Sequence, residues 1–309
     1  MTGVDADTDG QVIAVVAAFR PGPGFAATLE ALAAQTDRVI VVDDGSDAFA
    51  ADSSLRSLAT ILALPENRGI AAALDHGIRA ALEADPAALV LTMDQDSVIP
   101  PGYVAKARAT LAAARAAGLS VGSVSAETHN GHPLRYLRAA PGGFRLLFDP
   151  MQSGTLFPAG TFAALGLFDE ALVIDAVDTD FNLRMHVARL LPLAGAACDL
   201  RHELGTMRPL TVFGWNPVFR GTRMRIHYHS PYRTYFITRN NATLWRRYLR
   251  RAPVWLTRRA WLEVESAAVC LLYGPHRRRH VVAMAAGLRD AARGALGPMP
   301  ARLRAVLVD

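Results

Sequence analysis

Short, wholly apolar runs alternate along the first hundred residues with longer stretches in which apolar positions recur at a helical spacing. Such runs are typical of parallel strands buried on both faces, and they occupy residues 12–18, 39–42, 61–64 and 89–93. Helices are predicted between them, at Phe25 to Gln35, at Ile70 to Ala84 and after Pro101. This alternation predicts an α/β fold, with a mostly parallel sheet flanked by helices on both faces.

Polar loops follow the predicted strands. Asp43 and Asp44 follow the second strand, Arg68 lies in the loop after the third, and Asp94 and Asp96 follow the fourth. In open α/β sheets, ligands bind beyond the carboxyl ends of the strands. We therefore expect these loops to line a binding cleft.

The chemistry of these loops has a functional and an ordinary interpretation. Asp94 and Asp96 offer hard oxygen ligands one residue apart, which suits Mg²⁺ or Mn²⁺ bridging a diphosphate; a solvated turn or a helix cap is the alternative. Asp43 and Asp44 could accept hydrogen bonds from a nucleobase and a ribose hydroxyl, or form an ordinary Asp-Gly-Ser turn. The first strand is followed by neither Gly-x-x-x-x-Gly-Lys nor Gly-x-Gly-x-x-Gly, which argues against a kinase or a dehydrogenase.

A second acidic cluster lies about 80 residues further along the chain. Asp175, Asp178 and Asp180 precede a predicted helix that contains Arg184. Asp178 is the best candidate for a general base, although a helix cap is an equally good interpretation of the spacing alone. His202 could bind the metal or a phosphate, and a buried structural histidine is the alternative.

Charge divides the chain into two halves. Residues 1–200 carry 13 basic and 23 acidic side chains, a net charge of −10, whereas residues 201–309 carry 20 basic and 5 acidic ones, a net charge of +15. Trp and Tyr are interleaved with the arginines of the basic half, a composition that favours an anionic membrane surface over a diphosphate or nucleic acid as its partner. An arginine-rich helical surface that results from coding bias is the alternative.

Composition narrows the class of protein. The 309 residues, 51% of them apolar, suffice for one or two buried cores. Cys198 and Cys270 form no paired motif, so neither a disulfide framework nor a thiolate zinc site is predicted. Residues 1–10 lack the features of a signal peptide, and no apolar run reaches the roughly 20 residues that span a bilayer. We therefore expect a cytoplasmic location, peripheral at the inner face of the plasma membrane.

Seven segments within residues 12–241 resemble, in this order, the inverting family 2 glycosyltransferases of GT-A fold and, among them, the bacterial rhamnosyltransferase-like members. The segments are VVAAFRP, VDDGSD, ENRGIAAALDHGI, TMDQDS, SGTLFP, GLFDEALVIDAVDTDFNLR and HSPYRTYFITRNN. The first two occur in many enzymes that use nucleotide sugars, whereas DQDS, the motif from Asp178 to Arg184 and the closing Arg-Asn segment are more specific.

The resemblance implies a role for each matching residue. Asp43 and Asp44 would hold the base and ribose of the nucleotide, and Asp94 would lie near the ribose or sugar. Asp96 would bind the metal. Apart from the resemblance, we expect Arg68 to bind the donor and His202 to be a further metal ligand. Asp178 would take a proton from the acceptor hydroxyl as this attacks the anomeric carbon, a single displacement that inverts the configuration.

The acceptor side has fewer motifs. Arg233 and Arg239 are expected to bind the diphosphate of a lipid-linked acceptor, with a solvated helix face as an equally good interpretation. Asp44 and Asp75 stand where relatives often have Asn. Residues 242–309 match no motif of the family.

These observations predict an inverting glycosyltransferase that acts in the assembly of cell-surface polysaccharide. The predicted donor is dTDP-L-rhamnose, from which L-rhamnose is transferred. The predicted acceptor is a glycan or a polyprenyl-diphosphate-linked molecule. The predicted parts are a tail at 1–10, a GT-A catalytic domain at 11–241 with nucleotide and acceptor halves at 11–100 and 101–241, and a helical basic segment at 242–309. Nucleotidyltransferases and noncatalytic glycan- or lipid-binding modules are the rival classes. No nucleic-acid partner is expected, and a homo-oligomer is left open.

Overall fold

The computed structural model describes residues 10–49, 55–202, 207–210, 215–219, 221–273 and 275–308. The chain divides into two compact units. The first comprises Met1–Val173 and Val177–Glu203, and the second comprises Ile174–Ala176 and Leu204–Asp309.

The first unit is an α/β structure. Its strands are β1 (Val12–Ala18), β2 (Arg38–Asp43), β3 (Thr60–Ala63), β4 (Leu89–Asp94), β5 (Ser97–Val98), β6 (Val121–Ser125), β7 (Thr128–His129), β8 (His132–Pro133), β9 (Tyr136–Ala139), β10 (Arg145–Leu147), β11 (Thr155–Pro158), β12 (Leu191–Ala194) and β13 (Asp199–His202). Its helices are α1 (Phe25–Ala33), α2 (Ile70–Ala84), α3 (Tyr103–Ala116), α4 (Ala159–Leu165) and α5 (Val177–Ala188), with 3₁₀ turns at Leu55–Ser57, Pro141–Gly143 and Glu170–Leu172.

Nine strands form the central sheet of this unit, in the order β3-β2-β1-β4-β11-β6-β12-β10-β9. The four predicted strands form its first part and pair in parallel. The second part is mixed: β11 runs antiparallel to both β4 and β6, and β12 runs parallel to β6. The predicted α/β sheet flanked by helices is confirmed, and the antiparallel strands are an addition that the apolar pattern did not indicate.

The parallel part of the sheet contains the tightest packing. Every residue of β1 is buried, as expected of a strand covered on both faces. Helix α2 lies close against it, since a Cβ at Gly77 would stand 2.4 Å from Cγ1 of Val15. Gly69, which precedes α2, has a φ of +93°, and a Cβ there would lie 2.4 Å from the carbonyl oxygen of Val173. Glycine at these positions lets the helix and its preceding loop approach their neighbours.

The second unit is mostly helical. Its elements are β14 (Met207–Pro209), β15 (Val218–Phe219), β16 (Thr222–Arg223), β17 (Arg225–His227), α6 (Pro231–Tyr248), α7 (Pro253–Tyr273), α8 (Arg277–Arg293) and α9 (Ala301–Leu307). Helices α6 and α8 pack closely, because a Cβ at Gly287 would lie 2.8 Å from the carbonyl oxygen of Tyr235. The Tyr235 hydroxyl donates to Oδ2 of Asp290 over 2.8 Å. The predicted helical C-terminal extension is thus confirmed.

Three further observations concern predictions from the sequence. Helix α6 runs through residue 241, where the sequence predicted a domain boundary. Cys198 and Cys270 are both buried and unbonded to each other. Among the helices of the described ranges, none is long and apolar enough to cross a membrane.

Asp75 is a buried carboxyl group on α2. Its Oδ1 accepts a hydrogen bond from the Phe168 amide over 2.9 Å, and only 1% of the residue is exposed. Burial raises the pKa of Asp75 to about 7, against the lowering effect of the Phe168 amide and the Arg79 guanidinium. Since the raised pKa means that the folded state binds the proton more tightly, Asp75 stabilises the fold below about pH 4, and this contribution is lost as the pH rises to about 7.

We therefore expect Asp75→Asn to remove this pH dependence, because the amide oxygen still accepts from Phe168 and carries no charge. Urea unfolding at pH 5 and pH 8 should show the variant more stable than the parent at pH 8 by about 2 kcal/mol, with a smaller gain at pH 5. Glu83→Gln, at an exposed position of the same helix, serves as the control. Parallel stability profiles for parent and Asp75→Asn would contradict the expectation.

Candidate active site

The predicted acidic loops meet at one edge of the sheet. In the parallel register, Ala18 of β1 is the partner of Asp43 and Ala17 is the partner of Asp94. The loops after β2 and β4 therefore lie on either side of the end of β1. Because the strand order reverses here, with β2 on one side and β4 on the other, this edge is a topological switch point, where open α/β sheets bind ligands.

Asp94, Asp96 and His202 form a group that could hold a cation. One ligand atom from each side chain lies within 4.8 Å of the others. Strand β13 brings His202 to this position by pairing antiparallel with β5, where His202 is the partner of Ser97. The Asp96 carboxylate lies 3.6 Å from Nδ1 of His202. The structure thus brings together the predicted ligands Asp96 and His202, and adds Asp94, which was predicted near the ribose or sugar.

The donor set of this group suits a divalent cation. All three side chains suit Mn²⁺, which binds both carboxylate and imidazole ligands. The two carboxylates alone suit Mg²⁺, which prefers oxygen ligands. Two carboxylates at this separation repel each other, and a cation between them would remove that repulsion. A hydroxyl chain holds the imidazole, since Ser153 Oγ donates to Ser97 Oγ and Ser97 Oγ is hydrogen-bonded to His202 Nδ1, both over 2.8 Å. Such contacts fix the orientation of a metal ligand.

Asp43 and Asp44 are buried and already hydrogen-bonded. Asp43 Oδ1 accepts from the amide and hydroxyl of Ser46, so the Asp-Gly-Ser turn is present. Asp44 accepts from the Arg68 amide over 2.7 Å and from the Gly69 amide over 2.9 Å. Burial raises the pKa of Asp44 although both amides lower it. Asp44 therefore holds the loop before α2, and its contact with ribose stays a prediction.

Arg68 lies at the same loop with its side chain half exposed. Its guanidinium forms an ion pair with Glu170 at 2.7 Å, and Arg79 contacts the other oxygen of Glu170 at 3.3 Å. Glu170 thus links the loop before α2 to the segment that leads to α5. The sequence analysis assigned Glu170 no role, although the residue lies in the segment GLFDEALVIDAVDTDFNLR.

The second acidic cluster separates into different roles. Helix α5 begins at Val177, so Asp178 and Asp180 lie in its first turn rather than before it. Asp178 is half-buried, and its Oδ2 accepts from the Gln152 amide over 3.3 Å. Asp180 is buried and forms an ion pair with Arg184 at 2.9 Å. Asp175 belongs to the second unit, whereas Asp178 and Asp180 belong to the first.

Gln152 is a residue of the site that the sequence did not reveal. Its side-chain Nε2 donates to Oδ1 of Asp94, and its backbone amide donates to Asp178. One residue therefore connects the cation group with the candidate base. The feature of the sequence that could have indicated Gln152 is its position directly before the SGTLFP segment.

A small cavity lies beside Asp178 and Gln152. Its lining includes the rings of Phe157, Phe168 and Phe181, which pack with centroids 4.7 to 6.3 Å apart. The cavity therefore combines an apolar wall with a carboxylate.

Arg233 and Arg239 lie in the second unit and differ from each other. The Arg233 guanidinium is partly exposed and contacts the Asp175 carboxylate at 2.5 Å. Arg239 is 1% exposed, its Nη1 donates to the carbonyl of Gly297, and its guanidinium carbon lies 4.8 Å from the Phe236 ring centroid. This packing assigns Arg239 to the core of the helical unit and does not favour its predicted contact with a diphosphate.

This chain is similar to known proteins. The dTDP-rhamnosyl transferase RfbF of Shigella flexneri is 26% identical over 251 residues, which cover 76% of this chain and 80% of that protein. The crystal structure of GalNAc-T7 with UDP, GalNAc and Mn²⁺ has a TM-score of 0.50 at 11% identity and covers 62% of this chain, which spans only 43% of that structure. A nucleotidyl transferase from Methanothermobacter thermautotroptrophicus has 18% identity over 60% of this chain and 88% of its own, with a TM-score of 0.36, on which we base no argument.

The similarity to GalNAc-T7 concerns the fold alone and agrees with the GT-A architecture that the resemblance implied. A family model matches more specifically: the model described as glycosyl transferase family 2 covers residues 13–168, about half of the chain. This range includes Asp43, Asp44, Asp94, Asp96 and Gln152. The chain belongs to glycosyl transferase family 2.

Proposed function

We propose that this glycosyltransferase inverts the configuration of the sugar that it transfers from a nucleotide-sugar donor to an acceptor hydroxyl. The observation that carries the proposal is the connection through Gln152, which contacts Asp94 of the cation group and Asp178. A leaving diphosphate and an attacking hydroxyl need a cation and a base on opposite sides of one sugar. A single residue that contacts both groups supports that arrangement.

The chain's own residues then have distinct tasks. Asp94, Asp96 and His202 would hold a divalent cation, which when bound neutralises the charge that develops on the leaving diphosphate. Asp178 accepts the proton of the acceptor hydroxyl while the hydroxyl oxygen bonds to the anomeric carbon and the bond to the diphosphate oxygen breaks. Because one displacement completes the transfer, the configuration inverts and no covalent enzyme intermediate forms.

The donor that we propose is dTDP-L-rhamnose. Similarity to a dTDP-rhamnosyl transferase over 76% of the chain supports this choice over another UDP-, dTDP- or GDP-sugar. We assign Asp43, Asp44 and Arg68 to the nucleotide, within a catalytic domain at residues 11–241. The acceptor is proposed to be a glycan or a polyprenyl-diphosphate-linked saccharide, with Arg233 near its diphosphate.

We further propose that the enzyme works at the cytoplasmic face of an anionic membrane, where a polyprenyl-linked acceptor would lie. Support comes from the net charge of +15 of residues 201–309 and from an apolar stripe on α7. The stripe consists of Val254, Trp261, Val264 and Leu272, each more than half exposed and spaced so as to share one helix face. Helix α7 itself is neutral, with Arg258 and Arg259 balanced by Glu263 and Glu265, so the basic charge comes from other segments. A helix with such an apolar face can lie in the headgroup region of a bilayer.

The cation group leads to a prediction for Asp96→Ala. Losing one of two carboxylate ligands should abolish transfer and weaken Mn²⁺ binding by about tenfold or more, with an unchanged melting temperature, because Asp96 is exposed. Glu83→Ala removes an exposed acid outside the site and should match the parent. Full transfer by Asp96→Ala, or by the parent in excess EDTA, would exclude the proposed metal site.

The two acids of the first turn of α5 should respond differently to the same substitution. Asp178→Asn should reduce turnover by about 10²-fold or more with donor affinity near that of the parent, because only a proton acceptor is lost. Asp180→Asn should instead lower stability by about 1–3 kcal/mol, because Asp180 is buried against Arg184. Calorimetry, kinetics and urea unfolding on the same samples decide between them, and an active Asp178→Asn variant would remove Asp178 as the base.

The α7 stripe predicts peripheral membrane binding. The parent should sediment with anionic vesicles at low salt, at up to about 1 kcal/mol per basic residue near the surface, and less in 0.5 M salt. Trp261→Ser should reduce this binding, whereas Trp215→Ser, at another exposed tryptophan, should not. If the parent does not sediment with anionic vesicles, or if both variants lose binding equally, the stripe is not the membrane contact.

A further inference from the structure

Gln152 is held in place more firmly than its position in a loop suggests. Its carbonyl oxygen accepts from the Thr92 hydroxyl over 2.6 Å and from the Thr155 amide over 3.0 Å. The neighbouring Ser153 hydroxyl accepts from the Asp94 amide over 2.9 Å, and the Gly154 amide donates to the Thr92 carbonyl over 2.9 Å. The backbone of this segment is therefore fixed against the end of β4, and its side chains have a defined direction.

The orientation of the Gln152 amide follows from its partner. An ionised carboxylate only accepts hydrogen bonds, so the NH₂ group of Gln152 must face Asp94 and the carbonyl oxygen must face away. The reverse orientation would place two acceptors against each other. Asp94 thus fixes the position of Oε1 of Gln152.

Oε1 of Gln152 is buried and receives no hydrogen bond from any residue that the structure describes. The whole residue is only 3% exposed. Buried carbonyl oxygens are normally satisfied, and an exception calls for an explanation such as a bound molecule. Gln152 also lines the small cavity that Asp178 lines, so the buried oxygen belongs to a side chain that borders the space beside the candidate base.

We propose that Oε1 of Gln152 accepts a hydrogen bond from a hydroxyl group of the transferred sugar, which makes Gln152 a determinant of donor specificity. This inference rests on the proposed function. Gln152 contacts Asp94 on the side of the cation group and Asp178 on the side of the base, and the sugar must lie between these groups during transfer. A hydroxyl is the group on a sugar that can donate to a carbonyl oxygen.

The experiment combines three enzymes with a set of donors. The parent, Gln152→Met and Gln152→Leu are assayed with dTDP-L-rhamnose and with its 2-, 3- and 4-deoxy analogues. Both variants keep an apolar side chain of similar volume and lack the acceptor. They also lose the contact with Asp94, which affects all donors alike and therefore cancels when donors are compared within one enzyme. All three enzymes retain the backbone amide that donates to Asp178, melting temperatures check that each variant folds, and Gln152→Leu alone suffices if Gln152→Met does not fold.

One analogue should lose about tenfold in kcat/KM with the parent, and should lose less than about twofold with Gln152→Met and with Gln152→Leu. A purely structural role of Gln152 would lower the rates for all donors alike. Equal sensitivity of the parent and the folded variants to every analogue would overturn the inference. A parent that transfers sugar from no nucleotide donor would instead contradict the proposed function.

Discussion

The site depends on the attachment of residues 151–155 to the end of β4. Thr92 takes part with both its hydroxyl and its carbonyl group, through Gln152 and Gly154, and the amide of Asp94 donates to Ser153. Because β11 continues from this segment antiparallel to β4, sheet pairing and loop contacts reinforce each other. Residues far apart in the sequence, from the cation group to α5, are positioned by this one contact.

The acids of the site differ in how their charge is balanced. Asp180 is buried and paired with Arg184, so its carboxylate serves the fold. Asp94 and Asp96 lie together with His202, and their arrangement leaves negative charge concentrated at the end of β4. Burial with a partner therefore distinguishes structural carboxylates from those available for chemistry, although the residue type is the same.

Much of the parallel part of the fold could be predicted from the sequence. Strand β1 and helix α2 have the predicted bounds, because a wholly apolar run and a helical period end at clear breaks. Strand β11 could not be placed, since four residues, Thr155–Pro158, reveal neither their partner nor their direction. The sequence also could not show which of Asp178 and Asp180 lines the cavity and which is buried in the core. Two residues apart on a helix, their side chains lie about 200° apart around the axis, and only tertiary packing decides which of them faces the cavity.

The aromatic wall beside Asp178 has a consequence for the competition between water and acceptor. Phe157, Phe168 and Phe181 line the cavity, and ring faces offer a water molecule few hydrogen bonds. A saccharide presents C–H groups to such a surface and a hydroxyl to the carboxylate, so it can satisfy both kinds of neighbour. With Asp178 as the proposed base, the wall would favour a carbohydrate over water as the nucleophile and so limit hydrolysis of the donor.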